Sequence, residues 1–311
     1  MTQSQRQVPD DARVNVRLDE LIALHQHADR MRLTPASPAS PSAGDETGHR
    51  RGRGMDYLES RAYQAGDDVR HLDWRLTARS GSLHTKVFQE EYEHRVTMII
   101  DCHAGMHFGT RDCFKSVCAA RAAALIAWQV AQTGGRVGAL AFGPCRQVQR
   151  ALAGQRGALA VCAALVRWDA ASAQTDAPEP LSMALRRMRP LLRGTSHAVL
   201  ITDGRSGDAG MHAALAMWRR RMRLSVLLVT DPLETQAPPR GWYPVDCAEH
   251  RFMLDLVGES SRDAFRRALG APAGRLRQAC HALGIVCRDL DGSSEPRGAV
   301  AAILGKSGRG A

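Results

Sequence analysis

Beyond residue 95 the chain alternates short apolar runs with longer apolar patterns. Residues 96–100, 136–142, 198–202 and 224–229 are apolar over strand length, and 285–288 forms a short last run of the same kind. Between them, 114–132, 155–167, 181–192, 209–222 and 262–283 have helical length and composition. Strands flanked by helices of this size predict an α/β fold with a doubly wound, mainly parallel sheet covered on both faces. Upstream the pattern differs. A polar tail leads into residues 16–33, where Leu18, Leu21, Ile22, Leu24, Ala28 and Met31 make one stripe of an amphipathic helix. Residues 34–49 are rich in Pro, Ser and Ala and read as a flexible linker. A segment at 50–94 follows, without a long apolar stripe but with an extended stretch at 83–88. The expected organisation is therefore 1–33, 34–49, 50–94 and an α/β domain at 95–311.

Composition narrows the function classes. With 311 residues, 44% of them apolar, the chain buries enough surface to fold without disulfides or structural metal. Its eight cysteines are scattered without a CxxC pair, as expected of reduced thiols in a cytoplasmic protein. No secretory apolar core opens the chain, and the longest apolar tract, 119–131, is interrupted by Arg121 and Gln129 and is too short to span a membrane. The net charge of +10 raises nucleic acid as a partner, but aromatics are only 5% and are not interleaved with the basic residues, so stacking platforms are missing. Only three of the 42 basic residues are lysines: Lys86, Lys115 and Lys306. The densest cluster, Arg219, Arg220, Arg221 and Arg223, falls at a helix end, where cations suit the macrodipole.

Candidate chemistry gathers at strand ends. Ligands of doubly wound sheets bind beyond the carboxyl ends of the strands. Three apolar strands here stop at an aspartate, namely Asp101, Asp203 and Asp231. Each side chain can simply cap a turn. Three on one edge would also repel, and a divalent cation relieves such repulsion. Histidines 94, 103 and 107 flank Asp101; His94 and His107 read as structural or solvent-facing. No phosphate-binding GxxxxGK[ST], GxSxG elbow or HExxH occurs, which argues against the commonest nucleotide and hydrolase chemistries.

The run GRGMDYLESRAYQAGDDVRHLDWRLTAR at 52–79, extended by Lys86, Phe88, Glu90 and Glu91, closely resembles the signature of the bacterial "domain of unknown function 58" family. The remainder, including Thr230-Asp231-Pro232, resembles that family's von Willebrand factor A-like half. The resemblance implies a fold of von Willebrand A type, with a metal-ion-dependent adhesion site built from an Asp-x-Ser-x-Ser loop, a threonine and a further aspartate. In this chain the first loop is Asp101-Cys102-His103-Ala104-Gly105, with both serines replaced, and the further aspartate is Asp203. The second loop, around 175–182, offers no clear threonine. The implied site is thus degenerate, with Asp101, His103 and Asp203 as metal candidates and Mg²⁺ as the implied ion. The resemblance further implies a MoxR-type AAA+ ATPase and other von Willebrand A proteins as partners, in chaperone-like maturation or stress response.

Residues 50–79 hold seven arginines and five acids, a composition suited to guanidinium–carboxylate pairing. Arg61, Tyr63, Gly66, Asp67, Asp68, Arg70, Asp73, Trp74 and Arg79 read either as an internal network or as a surface that docks a partner. The functional expectation is a non-catalytic protein-interaction module. A metal-dependent phosphoester hydrolase and a nucleic-acid binder are the alternatives.

Overall fold

The computed structural model describes residues 11–29, 55–64, 67–90, 94–172, 178–247, 250–292 and 295–305. Two compact units divide the chain: 1–36 with 94–311, and 37–93. The expected linker at 34–49 lies outside the described residues.

Three short helices open the larger unit: α1 (Asp11–Val14), α2 (Leu18–Ala23) and α3 (His25–Asp29). The single amphipathic helix expected over 16–33 is thus broken after Ala23, and residues 30–33 lie outside the described ones. Its apolar stripe is still used, because Leu21 and Ala28 are buried in the core of this unit.

The smaller unit contains β1 (Met55–Ala62), α4 (Trp74–Ser80) and β2 (His84–Glu90). The two strands pair antiparallel with a bulge between Tyr57 and Glu59. Asp73 caps α4 by accepting from the Leu76 amide at 3.0 Å. Gly81, at φ +74°, ends the helix in the left-handed conformation that glycine adopts without a Cβ clash.

The rest of the larger unit runs β3 (Arg95–Asp101), α5 (Lys115–Gln132), β4 (Arg136–Phe142), β5 (Val148–Ala153), α6 (Gly154–Ser172), α7 (Leu181–Met188), β6 (His197–Thr202), α8 (Met211–Arg219), β7 (Arg223–Thr230), α9 (Pro232–Thr235), β8 (Trp242–Cys247), β9 (His250–Asp255), α10 (Glu259–Ala282), β10 (Val286–Asp291) and α11 (Arg297–Leu304). Six strands form one sheet in the order β10-β7-β6-β3-β4-β5, parallel throughout except for the edge strand β5. This is the doubly wound, mainly parallel sheet that the strand–helix alternation predicts. Alternate residues of each central strand feed opposite faces. Val96, Met98 and Ile100 of β3 enter the core beneath α5 and α6, whereas Ile99 enters the core beneath α7, α8 and α10.

Helix α5 is buried almost all round, with fourteen of its eighteen residues inside. Seven alanines let its neighbours approach closely. The two polar residues that interrupt its apolar tract bond the N-terminal helices: Arg121 donates to Glu20 at 2.6 Å, and Gln129 donates to the Ala28 carbonyl. Trp128 Nε1 donates to the Leu21 carbonyl at 2.9 Å. The β8–β9 hairpin and β5 carry no apolar run long enough to announce a strand, and neither is expected from the pattern.

Candidate functional site

Parallel register decides where the strand ends fall. Ile100 of β3 pairs with Ile201 of β6, and Asp101 with Phe142 of β4, so Asp101, Thr202 and Asp203 emerge at one edge of the sheet. Strand β7 ends beside them at Thr230, followed by Asp231. All three aspartates are buried, each about 3% exposed. The rim inferred from the sequence is therefore real as geometry. How its charge is compensated is different from the expectation.

Asp101 is saturated by the chain itself. Its Oδ2 accepts from the Thr202 hydroxyl at 2.5 Å and the Ser206 hydroxyl at 3.3 Å, while Oδ1 accepts from the His103 amide at 3.0 Å and from His103 Nδ1 at 2.6 Å. The Glu179 amide donates to His103 Nε2 at 2.9 Å, which leaves the ring proton on Nδ1 and occupies both nitrogens.

Asp203 faces a cation that belongs to the protein. Lys115, the first residue of α5, is 2% exposed, and its Nζ lies 2.8 Å from Asp203 Oδ2 and 2.9 Å from Glu234 Oε1. The Arg205 guanidinium lies over the same pair, 2.9 Å from Glu234 Oε1 and 3.5 Å from Asp203 Oδ2. Burial, with the Asp101 carboxylate close by, pushes Asp203 up, against the pull of Lys115. Glu234 is fixed by a capping box at α9, in which its Oε2 accepts from the Asp231 amide at 3.1 Å. Asp231 itself holds the loop before α5, accepting from the Thr110 amide at 2.7 Å and hydroxyl at 2.6 Å.

The replaced serine positions explain the arrangement. At 103, imidazole bridges Asp101 and the Glu179 loop. At 105, glycine makes room, since a Cβ there would sit 3.1 Å from Arg205 Cδ and 3.1 Å from Asp203 Oδ2. Gly143, at φ +96°, likewise leaves space for the His103 ring, which a Cβ would approach to 2.9 Å.

A second buried acid stands in the loop where the threonine was sought. Glu179 accepts both Arg187 nitrogens, Nε at 2.9 Å and Nη2 at 3.0 Å, together with the Gly143 amide at 3.0 Å. Burial pushes its carboxyl up, but the Arg187 fork and the Gly143 amide outweigh it and hold the group below its ordinary value. Arg146 lies 3.6 Å away with its side chain 54% exposed.

These residues do not fit a divalent ion. The donors that would ligate it are committed to a lysine, an arginine and hydroxyl donors, and both nitrogens of His103 are used. No group of three or more His, Cys, Asp or Glu able to hold a metal occurs among the described residues. Of the site residues named from the sequence, Asp101, His103 and Asp203 are brought together. Lys115, Glu179, Thr202, Arg205, Ser206 and Glu234 were missed. Two of them carried a signal: Lys115 is a rare lysine at the N-terminal turn of the helix that holds the longest apolar tract, where a cation opposes the macrodipole, and Glu179 sits between Pro178 and Pro180 ahead of α7. His107 is structural, its Nε2 held 3.0 Å from Asp169.

The signature residues belong to the smaller unit. Arg61 donates to Asp67 at 2.7 Å, Asp68 accepts from the Arg70 amide at 2.9 Å, and Asp73 adds the Ser60 hydroxyl at 2.8 Å to its capping bond. The Tyr63 amide donates to the Leu83 carbonyl at 2.9 Å. Trp74, at 67% exposure, and Arg79 are solvent-facing, and Gly66 lies outside the described residues.

The model of a family described as protein of unknown function DUF58 matches residues 59–275. Uncharacterized proteins of Mycobacterium bovis and Mycobacterium tuberculosis are each 30% identical over 230 residues, 73% of this chain and 72% of theirs. Among solved structures, the conserved hypothetical protein BatB from Bacteroides thetaiotaomicron aligns with a TM-score of 0.40 at 13% identity, covering 67% of this chain and 95% of that one. An aerotolerance-related membrane protein from Bacteroides fragilis aligns at 0.41 and 12%, covering 68% and 96%.

Proposed function

We propose that this chain, which belongs to the DUF58 family, is a non-catalytic interaction module whose gripping surface is the carboxyl edge of its six-stranded sheet. One observation supports the reading above others. The acids and the histidine that could act as nucleophile, base or metal ligand at this edge are consumed by internal bonds. The groups turned toward solvent are instead guanidiniums: Arg146 at 54%, Arg205 at 39% and Arg187 at 32% side-chain exposure. Guanidiniums recognise carboxylates and carbonyl oxygens, and they neither attack nor accept protons at neutral pH. Hydrolysis of phosphoesters would need an open metal position and a base, which this donor set does not provide.

The partner we assign is a MoxR-type AAA+ ATPase, in maturation or stress-response work carried out in the cytoplasm; family resemblance supports this choice. No helix of the described residues is long and apolar enough to cross a membrane. Binding of the purified chain to the MoxR-type ATPase of its own host, followed by biolayer interferometry with ATP or ADP, tests the assignment. Arg146→Ala, which removes a half-exposed guanidinium without placing a second acid beside Glu179, is expected to weaken binding at least tenfold while moving the thermal midpoint by no more than about 3 °C. Undiminished binding would take the surface away from this edge, and turnover of a phosphoester by the wild-type chain would favour the enzyme reading.

A further inference from the structure

We propose that Cys102 and Cys145 are a redox-active pair, in which a hydroperoxide oxidises Cys145 and Cys102 then closes a reversible disulfide between the loop after β3 and the β4–β5 turn. The inference is independent of which partner the edge of the sheet binds.

Strand register brings the two residues together. Cys102 follows the last residue of β3, and its amide donates to the Phe142 carbonyl at the end of β4 at 3.0 Å. Cys145 lies in the turn between Phe142 and β5. That turn is firmly held. The Ala141 amide donates to the Gln147 carbonyl at 2.9 Å, the Gly143 amide to Glu179 at 3.0 Å, and Arg146 Nε to the Gly143 carbonyl at 3.4 Å. The two thiols meet in a hydrogen bond, with Cys102 as donor and the Ile100 carbonyl, 3.8 Å from Cys102 Sγ, as the alternative acceptor. Each cysteine is 5% exposed, and Cys145 directly precedes the exposed residues 146–148.

This bond makes the two thiols unequal. The Cys102 thiol and the Gln147 amide both donate to Cys145 and outweigh its burial, which lowers Cys145 to about 7 and leaves much of it as thiolate at neutral pH. Cys102 is pushed well up by its bond to Cys145, by burial and by the Asp101 carboxylate, and keeps its proton. Cys145 is the attacking sulfur and Cys102 the resolving one.

The steps balance with a hydroperoxide as oxidant. The Cys145 thiolate attacks the terminal peroxide oxygen, the O–O bond breaks, and the departing oxygen takes up a proton to leave as water or an alcohol. Cys145 is then a sulfenic acid. The Cys102 sulfur attacks it, the S–O bond breaks, and the Cys102 proton leaves with the hydroxyl as water. Two thiols are oxidised to one disulfide, and one peroxide is reduced.

Two further thiol pairs occur among the described residues, Cys113 with Cys118 and Cys280 with Cys287. Each has a member fixed in regular structure: Cys118 in α5, Cys280 in α10 and Cys287 in β10. The Cys113 and Cys118 thiols also donate to the Gly292 and Asp291 carbonyls, at 3.8 and 3.4 Å, and would forfeit those bonds. A disulfide requires its two Cα atoms to settle about 5.5 Å apart. Cys102 and Cys145 both lie outside helix and strand, so their backbone can adjust to that spacing.

The reduced full-length chain is treated with hydrogen peroxide, remaining thiols are capped with N-ethylmaleimide, and tryptic peptides are mapped by mass spectrometry without reduction. Cleavage places Cys102 in residues 96–111 and Cys145 in 137–146, each without another cysteine. The cross-link between these peptides is expected to form about fivefold faster than a link in either other pair, and to disappear with dithiothreitol. Cys102→Ser is expected to leave Cys145 as a sulfenic acid that dimedone captures about fivefold more than in the wild type, and Cys145→Ser to leave Cys102 reduced. A chain whose Cys145 stays unmodified while other cysteines oxidise would overturn the proposal. So would a first cross-link in either other pair, or a Cys145 sulfenic acid that persists unlinked in the wild type. Should the serine variants fail to fold, the wild-type peptide map decides by itself. No readout involves a partner, so the interaction reading and the thiol pair stand or fall separately.

Discussion

The rim of the large sheet and the arginine-rich segment of the smaller unit use the same vocabulary, acids beside guanidiniums and backbone amides, at opposite depths. At the rim Asp101 has a side chain 1% exposed and takes four hydrogen bonds from four donor groups. In the smaller unit the Arg61–Asp67 pair has side chains 41% and 20% exposed, and Asp67 is otherwise bound by one local amide, that of Gln64. Depth converts a similar bond list into different physics. A buried acid without its donors keeps a desolvated charge, whereas an exposed acid without its donors returns to water. The first arrangement is a fastening of the fold. The second shapes a local loop and leaves its surface available.

Substitution at the most deeply held acid should give the largest effect. Asp101→Ala strands the hydroxyls of Thr202 and Ser206 and both His103 donors, and is expected to cost about 4 kcal/mol in urea unfolding. A loss below about 1 kcal/mol would show that the rim is as replaceable as a surface loop, and the contrast between the regions would collapse.

Glu179 comes next, and pH sharpens it. Its partner Arg187 is 32% exposed, so solvent screens part of the pair, and Glu179→Gln is expected to cost about 2 kcal/mol at neutral pH. The sign with pH follows from the depressed carboxyl. Above its ordinary value of 4.5 the group is ionised in both folded and unfolded chains, and the full stabilisation is present. As the pH falls below that value the unfolded chain takes up the proton first, and the advantage over Glu179→Gln shrinks toward zero. A gap between wild type and Glu179→Gln that widens on acidification would contradict the assignment.

The same difference of depth governs how much could be read from residues alone. Strands β3, β4, β6 and β7 were legible because each is a buried run of apolar residues ending at a turn, and their parallel order follows from the helices between them. Strand β5 and the hairpin of β8 and β9 were not. Residues 148–153 lie at the sheet edge with only Ala151 buried, and Trp242, Phe252 and Met253 of the hairpin are exposed, so neither alternates cleanly. At the site, the aspartates announced themselves by position after a strand. Their compensation did not, because Lys115 is 88 residues from Asp203 and 119 from Glu234 in sequence, and only the fold brings it there. The signature segment shows the reverse. It is the most recognisable stretch of the chain, yet its bonds are local and wet, so recognisability there says little about what holds the molecule together.

The smallest effect tests that last statement. Arg61→Ala removes one end-on pair at 2.7 Å and a bond to the Ala62 carbonyl at 3.1 Å. Both partners face water, which takes over as donor, and the side-chain entropy regained by the chain offsets part of the loss. The thermal midpoint is expected to move by no more than about 2 °C, with the residual effect weakened further by salt. Asp73→Ala should act a little more strongly but still locally, raising amide exchange at Leu76 several-fold, because the helix start loses its cap and the Ser60 hydroxyl loses its acceptor. If Arg61→Ala destabilised the protein as much as Asp101→Ala does, exposure in this segment would not measure coupling to solvent, and the arginines and acids of residues 50–79 would have to be counted among the fastenings of the fold.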